Sequence, residues 1–186
     1  MEQVEAIRIL AQAAKRSDAL VVSDIGSQTV WLHATGDEPS YLYLTGPMGL
    51  AASVALGVSL ATPSRAVLAI CGDGGLSMCL NSLVTIASQA PPNLTVSVMD
   101  NGVYDFTGKL AAPSTAINWE GLVAGLPSFR WYELLHKASN PELSAARGLG
   151  FIRAMVEPAR MSPPRFLLEP SAIHKRFLSA VQSFRS

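Results

Sequence analysis

Two short polar segments, Gly72-Asp73-Gly74-Gly75 and Asp100-Asn101-Gly102, place a carboxylate and a carboxamide at the ends of two successive apolar runs. Mg²⁺ prefers about six oxygens in octahedral array and usually takes one or two carboxylate-type ligands together with phosphate oxygens and water. Asp73 and the amide oxygen of Asn101 meet that need. Glycines on both sides of Asp73 let the backbone approach an anion closely, and the start of a following helix offers free amide hydrogens, so a diphosphate suits the same place. Gly-Asp-Gly alone reads more readily as a plain turn after a strand. The amide arriving at the end of the next strand is what makes the pair a candidate cation site.

Positioning these groups requires a β-α-β unit. Residues 68–71 form a short apolar run predicted as a buried strand. Residues 76–90 carry Leu76, Leu80, Leu83, Val84, Ile86 and Ala87 at helical spacing, and residues 94–99 form the second strand. A right-handed crossover brings both strand ends to one edge of a parallel sheet, where open α/β sheets bind ligands. Upstream, residues 1–16 form an amphipathic helix with Val4, Ile7, Leu10, Ala11 and Ala14 on one face. A strand at 19–23 ends in the turn Asp24-Ile25-Gly26-Ser27-Gln28, a further strand spans 41–44, and an Ala-, Val- and Leu-rich helix spans 49–61. Downstream, the loop 102–117 is a candidate lid and Asn118 a helix cap for 119–126. The remaining predictions are a strand at 129–132, a helix at 141–156, a strand at 165–169 and a helix at 173–184. Alternation of this kind predicts one domain over 1–186, a three-layer α/β/α fold with a mostly parallel sheet.

Composition excludes several classes. The 186 residues are 49% hydrophobic with no formal net charge, and the basic residues are scattered, which argues against a nucleic-acid partner. Apolar stretches are interrupted by glycine, proline or serine before they could span a bilayer, and the start is not a signal peptide, so a cytoplasmic protein is expected. Cys71 and Cys79 lack Cys-x-x-C spacing and are expected as reduced thiols.

Gly72-Asp73-Gly74, the intervening residues and Asn101 together resemble the thiamine diphosphate motif of the diphosphate-binding domain in 2-oxoacid decarboxylases and acetohydroxyacid synthases. Ser23-Asp24-Ile25-Gly26, Gly46-Pro47-Met48-Gly49 and Ala90-Pro91-Pro92-Asn93-Leu94 extend the likeness, which is most marked toward sulfopyruvate and phosphonopyruvate decarboxylases. The resemblance implies that Asp73, Asn101 and the carbonyl of Val103 ligate Mg²⁺. It also implies that Gly72, Gly74 and Gly75 cradle the diphosphate with a hydroxyl from Ser27, that the Gly46 carbonyl accepts the cofactor's amino group, and that Met48 wedges beneath the cofactor. Tyr104 and Asp105 lie near the place of proton transfer.

Some positions depart from the family pattern. Asp100 stands where many members have asparagine, Ser82 where a glutamate is common, and Gly108-Lys109 where phosphonopyruvate-type members have Gly-Gly. Lys109 could meet an anionic substrate tail. The family's activating glutamate sits on a separate pyrimidine-binding domain, so the resemblance implies the β half of a two-chain decarboxylase of 2-oxoacids, assembled with an α subunit. A homodimer, a carboligase half and a non-catalytic cofactor-binding homologue are the alternatives.

Overall fold

The apolar runs become strands and the glycine-acid segments become their ends. In the computed structural model, which describes residues 1–160 and 164–183, helix α1 (Gln3–Arg16) leads to strand β1 (Leu20–Ser23), helix α2 (Ser27–Ala34) and strand β2 (Tyr41–Tyr43). Helix α3 (Ala51–Ala61), strand β3 (Val67–Gly72), helices α4 (Asp73–Met78) and α5 (Asn81–Gln89), and strand β4 (Leu94–Asp100) follow. A small hairpin of β5 (Val103–Tyr104) and β6 (Leu110–Ala111) precedes helix α6 (Trp119–Ala124), strands β7 (Trp131–Leu135) and β8 (Gly150–Met155), and helix α7 (Pro170–Gln182).

Six strands form one sheet in the order β2-β1-β3-β4-β8-β7, every neighbouring pair parallel. The chain runs from β1 outward to β2 on one side and to β3 and β4 on the other. The gap between β1 and β3 is therefore the topological switch point. Register carries Ser23 opposite Ile70 and Gly72 opposite Met99, so Asp24, Asp73 and Asn101 leave the sheet along one edge.

Alternation along the strands supplies two cores. Leu20, Val22, Val67, Ala69, Val96 and Val98 pack beneath α3, α5 and α6, whereas Val21, Leu68, Ile70 and Ile152 pack beneath α1 and α2. Leu20, Leu68 and Ile70 are fully buried, each contributing roughly 2 kcal/mol and fixing register, because a one-residue slip would exchange the two faces. This is the three-layer α/β/α fold expected from the sequence. Asn93 also explains its place before β4: its side-chain amide donates to the carbonyls of Thr62 and Arg65 at 2.9 and 2.8 Å, closing the end of α3.

Several elements differ from the sequence expectation. The predicted helix at 76–90 is two helices, broken at Cys79, whose φ of −120° and ψ of 39° leave the helical region. The predicted helix at 141–156 is instead a short 3₁₀ turn (Ala145–Arg147) followed by β8. The predicted strand at 165–169 is irregular chain; Phe166 there packs edge-on against His33 and Tyr43. The strand expected at 129–132 runs from Trp131 to Leu135, and α7 starts at Pro170, earlier than expected, while its predicted end, Phe184, lies outside the described residues. The loop 102–117 carries the β5–β6 hairpin and a 3₁₀ turn at each of Asp105–Thr107 and Pro113–Ala116. Among the described residues no helix is long and apolar enough to cross a membrane.

Candidate cofactor and metal site

A cavity of about 210 Å³ opens at the switch point. Its walls come from the turn after β1 (Asp24 to Gln28), from Met48, from the start of α4 (Asp73 to Gly75, with Gly72 before it), and from Asn101 and the hairpin (Val103 to Thr107). Of the residues singled out in the sequence, Ser27, Met48, Gly72, Asp73, Gly74, Gly75, Asn101, Val103, Tyr104 and Asp105 all line it. Gly46 does not; it is exposed on the loop before α3. Ser82 is buried on α5 and is absent from the lining, and Asp100 is bound by the Arg153 guanidinium across β4 and β8, with Nη2 2.6 Å from its carboxylate.

The glycines are required by close approach. A Cβ at Gly72 would stand 2.5 Å from Gln28 Nε2, one at Gly74 2.4 Å from the Tyr104 ring, and one at Gly75 2.4 Å from Asp24 Oδ2. Asp73 is 2% exposed. Its Oδ2 accepts from Gly102 N–H at 2.9 Å and from the Ser114 hydroxyl at 2.6 Å. Burial raises its pKa above the ordinary carboxylate value, and those hydrogen bonds oppose the rise. Asn101 Oδ1 accepts from Val103 N–H at 2.9 Å, and its Nδ2 donates to Asp105 Oδ2 at 2.7 Å. A carboxylate, an amide oxygen and the neighbouring backbone carbonyl make a donor set of hard oxygens, suited to Mg²⁺ rather than to zinc. No group of three or more His, Cys, Asp or Glu side chains is arranged to hold a metal among the described residues.

Asp24 was not singled out as a site residue in the sequence, yet it lines the same cavity. Gly49 N–H donates to its Oδ1 and Oδ2 at 3.1 and 3.0 Å, and Ile25 N–H to its Oδ1 at 3.1 Å. Burial pushes its pKa up to about 6, against these bonds. Its position directly after a fully buried strand was the available signal. Gln28 and Phe106 are further lining residues; Phe106, 60% exposed, lies over Gly26 at the rim. A second cavity of about 630 Å³ shares Ser27, Asp105 and Phe106 with the first and is bordered by Lys109, Arg160 and Arg165. Lys109 Nζ donates to the Ala159 carbonyl at 2.6 Å and Arg160 pairs with Glu157. Arg165 makes no ion pair among the described residues. Cys71 is a buried free thiol and Cys79 a half-buried one.

Residues 24–124 match the family model described as "Thiamine pyrophosphate enzyme, C-terminal TPP binding domain". The chain belongs to the thiamine pyrophosphate enzyme family. Among its relatives, a "Sulfopyruvate decarboxylase subunit beta" of Methanothermobacter thermautotrophicus is 31% identical, with 98% of this chain and 96% of the relative aligned. A protein of the same name from Methanococcus maripaludis is 30% identical with 98% of both covered. A "Phosphonopyruvate decarboxylase" of Streptomyces viridochromogenes is 42% identical over 117 residues, 63% of this chain but only 29% of that longer relative. The family match begins at Asp24 and ends at Ala124, so it takes in the loops that line the switch-point cavity of this thiamine diphosphate-binding domain and omits α1, β1, β7, β8 and α7.

Proposed function

We propose that this chain is the β subunit of a two-chain, thiamine diphosphate-dependent decarboxylase of 2-oxoacids, with Mg²⁺ held by Asp73, Asn101 and the Val103 carbonyl. The observation that carries this reading is the convergence of those ligands with a run of glycines at 72, 74 and 75, where an added Cβ would stand 2.4–2.5 Å from Gln28, Tyr104 and Asp24, at the switch point of the sheet. Near-complete coverage of subunits named as β halves supports the two-chain arrangement.

Bound thiamine diphosphate would supply a site that accepts the electrons left when the carboxylate departs. The chain's own residues bind and orient. Gly74 and Gly75 would present backbone N–H groups to the diphosphate, with the Ser27 hydroxyl beside them, and Met48 would support the cofactor from below. Tyr104 and Asp105 stand on the hairpin that walls the cavity; Tyr104 would serve proton transfer, whereas both Asp105 oxygens are already engaged by N–H donors. The adjoining basic cavity supports a substrate with a second anionic group, with Lys109, Arg160 and Arg165 at its border. Relatives named for sulfopyruvate and phosphonopyruvate fit that chemistry.

Calorimetric titration with thiamine diphosphate and Mg²⁺, with and without the pyrimidine-binding partner, tests the reading. Tight binding with the partner present, abolished by Asp73→Ala, is the expected result. Absence of binding in both conditions would replace it with a non-catalytic role.

A further inference from the structure

Asn101 can ligate a cation only through its oxygen, because an amide nitrogen carries no free lone pair for a metal. The two ends of a carboxamide are nearly the same size, so something must decide which faces the metal. In this structure the decision is made on both sides of the group. Val103 N–H donates to Oδ1 at 2.9 Å, and Nδ2 donates to Asp105 Oδ2 at 2.7 Å. Asp105 is itself held from behind: its Oδ1 accepts from Ala159 N–H at 3.2 Å, in the segment after β8. The same residue is gripped again through its carbonyl by Lys109 Nζ at 2.6 Å. An ionised carboxylate offers only acceptors, so the Asn101 nitrogen must face Asp105 and the oxygen must face away from it.

We infer that Asp105 is a positioning residue for the metal site, fixing the Asn101 amide with its oxygen toward the cation and tying that orientation to the chain beyond β8. With both carboxylate oxygens engaged by N–H donors, Asp105 is built to hold a neighbour rather than to deliver a proton. The inference rests on the reading that Asn101 ligates Mg²⁺. Partners that orient metal ligands in this way typically alter metal affinity by about tenfold to a hundredfold when removed.

The test is Mn²⁺ binding, followed by its paramagnetic resonance signal, to the chain with thiamine diphosphate and the partner subunit present. Asp105→Ala should weaken Mn²⁺ by about tenfold or more. Asp105→Asn, which keeps the shape but has one carbonyl oxygen for two donors, should weaken it as well and guards against a misfolded alanine variant. Lys109→Ala releases the Ala159 carbonyl without touching Asp105 or Asn101, and should weaken Mn²⁺ by a clearly smaller factor than Asp105→Ala. Wild-type affinity in both Asp105 variants, or a loss in Lys109→Ala as large as in Asp105→Ala, overturns the positioning role while leaving the metal site standing. Failure of the wild-type chain to bind Mn²⁺ at all overturns the metal site and, with it, this inference.

Discussion

The end of β1 and the end of β3 each carry a carboxylate that is 2% exposed, Asp24 and Asp73, on the walls of one cavity. Their partners differ. Asp24 is held by Gly49 and Ile25, backbone N–H groups of the loop before α3 and of its own turn. Asp73 is held by Gly102 N–H and the Ser114 hydroxyl, both from the segment after β4. Burial raises the pKa of both. Charge and burial therefore do not distinguish a carboxylate that ties the frame together from one that a cation can claim; the donors do. Beside its backbone N–H donor Asp73 has a hydroxyl that can rotate aside when a metal arrives, whereas the donors to Asp24 are all backbone N–H groups.

The adjacent glycines sharpen this contrast most. At Gly75 an added Cβ would lie 2.4 Å from Asp24 Oδ2 and 3.2 Å from Gly49 N, both parts of the fixed clasp. At Gly74 the nearest atoms it would meet are those of the Tyr104 ring on the hairpin, the closest at 2.4 Å. Gly75→Ala should cost about 3 kcal/mol or more, and Gly74→Ala about 1 kcal/mol, since the ring can swing away and alanine favours the helix. Urea unfolding of the two variants without ligand measures the difference. Equal losses would mean that the β1 end is no more rigid than the β3 end.

The second effect lies in pH. Asp24 has a folded pKa of about 6 against an ordinary 3.8. Between those values the folded chain holds a proton that the unfolded chain has released, so stability is greatest at acid pH and falls as pH rises through about 6. The full fall is roughly 2–3 kcal/mol. Asp24→Asn should remove that part of the decline, gaining on the wild type as pH goes from 4 to 7. Asp73, also raised, leaves a residual slope of the same sign in the variant. Parallel pH curves for the two proteins would show that Asp24 does not hold the proton.

What was legible in the sequence follows the same division. β3 and β4 were readable because both faces are covered, giving continuous apolar runs. The glycine-acid ends were readable because glycines on both sides of an acid after a strand mark a place of close approach. Helix α2 escaped notice because its buried face is polar: Ser27, Gln28 and Thr29 point inward with Leu32, so no apolar period marks it. Those inward polar groups serve the network around the site, with Thr29 bonded to Ser23 and to the Asp24 carbonyl, and Ser27 to Gln3. The stretch 141–156 mixes Leu143, Ala146, Leu149 and Ile152 at helical spacing with a strand that begins only at Gly150. Two glycines mark the break: Gly148 has φ +77°, and a Cβ at Gly150 would stand 2.0 Å from the Trp131 ring. Tertiary contact, not local spacing, decides that region. The Asp24 clasp was invisible for a similar reason, since Gly49 lies 25 residues away.

The smallest predicted effect tests the exchangeable side directly. The Ser114 hydroxyl donates to Asp73 Oδ2 at 2.6 Å, and Ser114 is 1% exposed. Removing it leaves a buried carboxylate with one donor fewer. In the absence of ligand, Ser114→Ala should therefore cost about 1 kcal/mol, the usual net value of such a bond. Were Asp73 fixed as Asp24 is, the same variant would disturb the geometry of the carboxylate and weaken Mn²⁺ in proportion. On the exchangeable reading the hydroxyl competes with the cation for that oxygen, so the variant should bind Mn²⁺ at least as tightly as the wild type. A lowered melting temperature without ligand, together with undiminished Mn²⁺ affinity, separates the two carboxylates by function. A loss of affinity that tracks the loss of stability would make Ser114 part of the metal site's frame and erase the contrast with Asp24.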